Sequence, residues 1–387
     1  MGRSWEALVD SSRSYVHLNQ ALSGEVRTSI QSVVAKHSLS SNLCWIMSSG
    51  TSSSSEGSFK LIGLTHEAFR ASAEAVNKHL KVTNQDRWYN LLPLFHVGGL
   101  GILYRAQCSQ TECFNDWEPS FKWNPHNFVK ACNQYRITLT SLVPTQVFDL
   151  VQAKLSPPKE LRAMVVGGAR LTPELYLAGR KAGWPLLPSF GMTEAASQIA
   201  TADLESLLGP LDSPPLYLLS HVRATTHSDQ VLLLKGPSLL TGYYEFHDGF
   251  EPTWHNPLDA LGWYKTQDRA LIQNDELKVL SRVDDVIKVR GENVNLSTLR
   301  QRLDTTKLKL NLSGEYALVA LPDARLGHLL VLTSDTLDAQ INELESAFNQ
   351  QSLPFERIEK IIAPMEIPKS SLGKIRYEIL TQNLIKR

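Results

Sequence analysis

The sequence predicts an α/β protein: a large multi-subdomain αβ N-terminal domain with parallel sheets and a β-rich subdomain, followed by a small α+β C-terminal domain. Three observations predict it. Between residues 87 and 194, short apolar runs of strand length alternate with amphipathic helical stretches, the pattern of right-handed crossovers in a mostly parallel sheet. From Leu207 onward the texture changes to short strands separated by turn residues, as at Gly236-Pro237, Gly242 and Asn274-Asp275. After a short polar stretch, 281–285, the chain returns to strand and helix signals through to its last residues. The expected division is 1–281, with the β-rich part at 207–281, and 282–387.

The elements follow in order. Residues 21–36 carry Leu22, Val26, Ile30, Val33 and Val34 at helical spacing. Leu43-Cys44-Trp45-Ile46-Met47 reads as a buried strand, and 61–64 as a second, shorter one. Thr65 is an N-cap for a helix to about residue 80, with Ala68, Phe69, Ala73 and Val76 inward. A strand over 87–92 ends at Pro93 and leads through His96 into an apolar helix ending near Gln107. Helices are expected at 124–135, from Pro144 to 154 and from Thr172-Pro173-Glu174, with strands at 137–143, 161–166 and 185–187. In the β-rich part, strands are expected at 216–219, 231–234, 270–272 and 277–280. The last segment reads as strand, helix 296–303, strand 316–321, helix 337–350 and strand 357–362.

Composition excludes several function classes. Lys+Arg and Asp+Glu both number 39, so no global field draws the chain toward nucleic acid or acidic lipid. The first fifteen residues lack an apolar signal core and no run of eighteen apolar residues exists, so a cytoplasmic protein without a membrane span is expected. Four cysteines without a Cys-x-x-Cys pair are expected as reduced thiols. Eleven scattered histidines, with no His-Glu-x-x-His, argue against a zinc enzyme.

Chemistry concentrates in a few places. Ser48 to Lys60, SSGTSSSSEGSFK, is rich in small hydroxyl residues and ends in a lysine. Such a loop is either a phosphate cradle, with backbone N–H groups, hydroxyls and an ammonium converging on an anion, or a serine-rich surface loop. It is not a Walker A loop, since Gly57 is followed by Ser-Phe-Lys. His96 stands at a strand-to-helix turn, where open α/β sheets bind ligands, and is equally readable as a core histidine.

The order SSGT…K, LPLFHVGG, VVGGARLTPEL, SFGMTEAASQ, GWYKTQD, SRVDDVIKVRGENV and PKSSLGKIR closely resembles the adenylate-forming superfamily of acyl- and aryl-CoA ligases, luciferases and peptide-synthetase adenylation domains. The resemblance spans residues 43–376. It implies an ATP- and Mg²⁺-dependent reaction in which a carboxylate attacks the α-phosphate, pyrophosphate leaves, and a thiol, here coenzyme A, then displaces AMP from the acyl-adenylate. By match, Ser48, Ser49, Gly50, Thr51 and Lys60 would grip the β- and γ-phosphates. Gly167, Gly168, Ala169, Ser189, Phe190 and Gly191 would flank adenine, Thr193 would touch the α-phosphate and Glu194 would hold Mg²⁺. Asp268 would accept from the ribose hydroxyls, with Arg282 nearby at the domain junction. Asp284 matches the hinge about which the small, mobile domain turns, and Lys374 the lysine which that domain delivers for adenylation.

Within the family, LPLFHVGGLGILYR, SLVPTQ and GMTEAASQ look most like the o-succinylbenzoate–CoA ligases of menaquinone and phylloquinone synthesis. That acid carries a second carboxylate, so its pocket needs a cation or several donors. Arg105 is the candidate cation, the alternative being a surface arginine. Thr145, Ser197 and Gln198 are candidate donors, and His96 would orient the reacting carboxylate. Another aryl- or acyl-CoA ligase is the alternative within the class, and a non-catalytic nucleotide-binding relative the alternative outside it. The chain departs from the family pattern in its phosphate loop, which is longer and lacks the usual Thr-Gly-x-Pro-Lys ending. It also has Gln267 and Arg290 where glycine is common, and a reduced region before that loop.

Overall fold

The structure, a computed structural model, describes residues 9, 14–16, 18–19, 22–37, 42–48, 59–247, 250–312, 314–335, 339–369 and 375–387. At its centre an eleven-stranded mixed sheet runs in the order 223–226, 231–235, 264–273, 276–282, 216–218, 197–201, 186–192, 163–166, 139–142, 87–90, 112–115. The last five of these pair in parallel. Their order reverses between Arg87–Asn90 and Leu139–Leu142, which makes the ends of those two strands a topological switch point, where such sheets bind ligands.

Alternation along the strands builds a core on each face. Trp88, Leu139, Ala163, Val165 and Leu187 pack on one face against Ala75, Val76, Ile102 and Ala106 of the helices His66–His79 and Val97–Ser109. Tyr89, Leu142, Met164, Val166 and Leu186 pack on the other, against helices Pro125–Tyr135, Pro144–Gln152 and Pro173–Lys181. Each face buries an unbroken apolar layer, as a doubly wound sheet requires. The expected caps are in place: Thr65 Oγ1 accepts from Ala68 N at 2.9 Å and Thr172 Oγ1 from Leu175 N at 3.2 Å.

A second sheet joins 15–16, 43–48, 59–65, 242–246 and 253–255. It lengthens the short strand expected at 61–64 to Phe59–Thr65, because Lys60 is paired on both sides, with Ser48 and with Glu245. The region 207–281 is β-rich as expected, but its strands divide between the two sheets instead of closing on themselves. Likewise the strand expected at 185–187 continues to Met192, since the antiparallel strand Ser197–Thr201 captures Ser189 to Met192.

Beyond Arg282 the chain forms a small separate domain. Its three-stranded sheet, 316–323, 327–334 and 360–362, has Leu318, Leu330 and Leu332 packed on Leu299, Leu303, Leu344 and Phe348 of the helices Leu296–Lys309 and Ala339–Gln350. Ala317 and Val319 face the opposite side, against Leu380 and Leu384 of the helix Tyr377–Ile385. No described helix is long and apolar enough to cross a membrane.

Candidate active site

Two glycine-bearing turns and a strained strand end form one wall. Gly167 and Gly168 follow the strand Ala163–Val166; Gly167 N donates to Leu142 O at 3.1 Å, and Gly168 has φ +81°. Ser189 Oγ donates to Val166 O at 3.1 Å and so ties the next strand to this turn. Gly168 and Ala169 are exposed and Phe190 half-buried, leaving an open ledge. At Gly191 the backbone of the neighbouring strand comes so close that a Cβ would lie 2.0 Å from Ser197 O. Thr193-Glu194-Ala195 then makes one tight turn, after which Ala196 and Ser197 both take positive φ, +52° and +109°. Consecutive non-glycine residues in that region store strain, a feature concentrated at functional sites.

Glu194 stands at the focus. Its carboxyl is closely surrounded by protein yet keeps some contact with solvent, as at the bottom of a cleft. Burial pushes its pKa up, while Lys60 and Arg282 pull it down and Asp268 pushes it up again. These four residues come from three elements: the strand Phe59–Thr65, the turn at 193–195 and the hairpin Tyr264–Gln273/Glu276–Arg282. Asp268 and Arg282 are register partners, with Oδ1 and Nη1 3.9 Å apart, and Asp268 is 13% exposed. Lys60 Nζ lies 4.6 Å from the centre of the Tyr243 ring. Two residues here escaped the sequence reading. Tyr243 supports Lys60, and Tyr264 is half-buried, its phenol held protonated first by desolvation and then by the nearby Glu194. The Tyr243-Tyr244 pair and the GWYKTQD motif contained both, but as strand signals rather than as neighbours of a carboxylate.

The second cluster surrounds Arg105. This guanidinium is 2% exposed, which overturns the surface alternative. The helix that carries it is apolar on every side and packs between Trp88 on the sheet and the helix His66–His79. Arg105 Nη1 donates to Ser141 Oγ at 3.2 Å and Nη2 to Ser197 Oγ at 3.4 Å, and its Cζ lies 5.5 Å from the Trp88 ring centre. With the Gln198 amide turned so that its oxygen faces the guanidinium, that oxygen accepts at 2.8 Å and 3.2 Å, and its nitrogen donates to Thr201 Oγ1 at 2.6 Å. All these partners are neutral, and among the described residues no carboxylate pairs with Arg105. Desolvation accordingly pulls its pKa down to about 10. Ser141 was not singled out from sequence, although a polar residue inside the strand Leu139–Leu142 was a signal. Thr145 is not brought to this cluster: it sits exposed in the first turn of the helix opened by Pro144.

His96 is the N-cap of the helix Val97–Ser109, in extended conformation, with its ring 4.7 Å from that of Phe95. Desolvation pulls its pKa down to about 4, so it is neutral at physiological pH. The expected phosphate-gripping residues Ser49, Gly50 and Thr51, the catalytic lysine Lys374, and the side chains of Ser48 and Asp284 lie outside the described residues. Among the described residues no three His, Cys, Asp or Glu side chains gather into a metal cage.

Comparison with known proteins identifies the fold and the family. The 2-succinylbenzoate–CoA ligase of Bacillus subtilis strain 168 is 29% identical over 256 residues, 64% of this chain; the chain spans only half of that relative's length. Among solved structures, the o-succinylbenzoate CoA synthetase of Bacillus subtilis in complex with its acyl-adenylate intermediate superposes with a TM-score of 0.71 at 23% identity, covering 87% of this chain and 68% of that one. ATP-bound MatB of Rhodopseudomonas palustris gives 0.74 at 18% identity, covering 96% and 83%. The fold is therefore that of the adenylate-forming enzymes. The AMP-binding enzyme family matches residues 12–244, more than half of the chain and all of the segment that carries Lys60, Glu194 and Arg105. The chain belongs to the AMP-binding enzyme family.

Proposed function

We propose that this protein is a cytoplasmic, AMP-forming acid–CoA ligase that activates a dicarboxylic aryl acid, o-succinylbenzoate being the best fit. One observation carries the choice of acid: a fully buried arginine held by neutral groups only. A buried cation without a counter-ion is costly, and a ligand carboxylate relieves that cost. Two of the named relatives, the Bacillus subtilis ligases for this acid, support the same reading.

In the proposed reaction the acid's carboxylate oxygen bonds to the α-phosphorus of ATP as the bond to the pyrophosphate oxygen breaks. The coenzyme A thiol then attacks the activated carbonyl and AMP leaves. Such phosphoryl transfer depends on positioning and charge neutralisation. Lys60, rooted in a strand, offers a fixed cation for the outer phosphates. Asp268 accepts from ribose hydroxyls, Arg282 sits beside it, and the ledge of Gly167 to Ala169 with Ser189 to Gly191 receives adenine. Thr193 faces the α-phosphate from the tight turn. Glu194 fits a magnesium ion that arrives on nucleotide phosphates, since such an ion needs one or two protein carboxylates and not a cage; it would neutralise phosphate charge there. Neutral His96 orients the reacting carboxylate by hydrogen bonding. Lys374 is delivered by rotation of the C-terminal domain about Asp284.

A pyrophosphate-release screen over a panel of mono- and dicarboxylic acids, with and without coenzyme A, tests the assignment. Release with o-succinylbenzoate, and thioester only when coenzyme A is present, is the expected result. Preference for a monocarboxylic acid would overturn the choice of substrate.

A further inference from the structure

The small domain joins the rest of the chain at one end, beside Asp284, and closes at the other with the helix Tyr377–Ile385, immediately after the segment 370–374. These two ends are far apart in sequence and lie on different structural layers. The helices Leu296–Lys309 and Tyr377–Ile385 pack on opposite faces of the three-stranded sheet. The strand Tyr316–Asp323 is one of the two edge strands of that sheet. An edge strand presents unpaired backbone groups, and one side chain takes one of them here: Arg300 Nε donates to Leu318 O at 3.1 Å.

The rest of the Arg300 guanidinium reaches both ends of the domain. Its Nη1 donates to Asp285 Oδ1 at 3.0 Å, the residue directly after the hinge position. Its Cζ lies 3.5 Å from the centre of the Tyr377 ring. Ser297 Oγ holds the other carboxylate oxygen of Asp285. Arg300 and Asp285 are 18% and 15% exposed, so the pair is shielded from solvent. The base of the segment 370–374 is fixed as well: Lys369 and Ile375 form an antiparallel bridge, and Arg376 N donates to Pro368 O at 2.8 Å. Arginine suits this place because its planar fork binds a carboxylate and a carbonyl at its edge while its face stacks on an aromatic ring.

We infer that Arg300 is a positioning residue, a clasp around the sheet edge that makes the hinge-proximal turn and the base of the lysine-bearing segment move as one body. The inference rests on the ligase reading for its catalytic consequence, but its physical content does not. Turning the domain about residue 284 then carries Lys369 and Ile375, the bridged pair that flanks the lysine-bearing segment, without slack between the two ends.

Two measurements test it. The first is amide hydrogen exchange on the full chain. Asp285→Asn weakens the clasp at the hinge end and is expected to speed exchange in the helix 377–385 by about tenfold, the worth of one charge-assisted hydrogen bond. In an Arg300→Met background the same change is expected to add nothing. Unchanged exchange at 377–385 in Asp285→Asn, or an equal increase in both backgrounds, would overturn the clasp whether or not any acid is turned over. The second is kinetic, with whichever acid the wild-type protein activates. Arg300→Met is expected to lower kcat for adenylate formation by about a hundredfold, as misplacement remote from the chemistry does, with KM for acid and ATP unchanged. Thioester formation from supplied adenylate is expected to be retained, and Arg300→Lys, which keeps the Asp285 pair, to recover part of the loss. Equal loss of both half-reactions, or a rise in KM alone, would refute positioning. Wild-type inactivity toward every acid refutes the ligase reading and leaves the exchange test to decide the clasp.

Discussion

Replacing Arg105 separates a substrate contact from a structural one. In the structure the guanidinium is buried, its partners are the neutral Ser141, Ser197 and Gln198, and its pKa falls to about 10. Against an ordinary arginine at 12.5, that displacement corresponds to roughly 3 kcal/mol of uncompensated desolvation. A carboxylate docked on the fork recovers energy of this order, about a hundredfold in affinity. Arg105→Met is therefore expected to reduce kcat/KM for o-succinylbenzoate by about a hundredfold, mostly through KM. A monocarboxylic aromatic acid of similar size should lose only a few-fold, because it has nothing to pair with the guanidinium. Folded stability should change little, since removing a buried unpaired charge offsets the lost hydrogen bonds to Ser141, Ser197 and Gln198. The assay is pyrophosphate release at several concentrations of each acid, with urea denaturation alongside. Equal losses for the two acids would refute the pairing, and a loss of stability of several kcal/mol would show Arg105 to be structural.

Three further outcomes are expected. Lys374→Ala should abolish adenylate formation from acid and ATP while sparing thioester formation from supplied adenylate; single-turnover measurement of each half-reaction checks this. Gly191→Ala should destabilise the protein by about 2–3 kcal/mol, because the new Cβ would meet Ser197 O at 2.0 Å and the backbone of one strand must give way; denaturant titration reads the loss. His221 is 8% exposed and desolvation pulls its pKa down to about 4, so below pH 6.5 the unfolded chain takes up a proton that the folded chain refuses. Stability attributable to it thus falls as pH falls from 6.5 toward 4, by about 2 kcal/mol at pH 5. A His221→Gln variant should lose that part of the acid limb and show no such difference above pH 7.5.

What the sequence made legible was local. Thr65 and Thr172 announced helix starts, and Asn274-Asp275 announced a hairpin, which both residues complete with positive φ. The alternation of apolar runs pointed to the parallel sheet because all but one of its crossovers join strands that pair; the exception, from Glu112–Asn115 to Leu139–Leu142, makes the switch point. Non-local pairing was not legible. Nothing in the strand Gly242–Phe246 names Phe59–Thr65 as its partner, and so the β-rich region read as one body although its strands serve two sheets. The burial of Arg105 was hidden for a related reason. Its helix is apolar on all sides, so periodicity could not say which face meets the sheet, and its partners Ser141 and Ser197 lie 36 and 92 positions away. The roles proposed for Lys60, Glu194 and Asp268 rest on motif order, and the structure adds that Lys60, Arg282 and Asp268 all act on the Glu194 carboxyl.

The pairing of Ser48 with Lys60 has a consequence for how this protein tolerates change. Both ends of the serine-rich connection are anchored in a hairpin whose register is held again by Glu245 on the far side of Lys60. With the ends fixed, each doubling of the connection's length costs only about 0.6 kcal/mol of closure entropy. Insertions between the anchors are therefore thermodynamically cheap and leave the register of Lys60 where it was. The greater length by which this loop departs from the family pattern thus falls where added length costs little, while Lys60 keeps its place in the sheet.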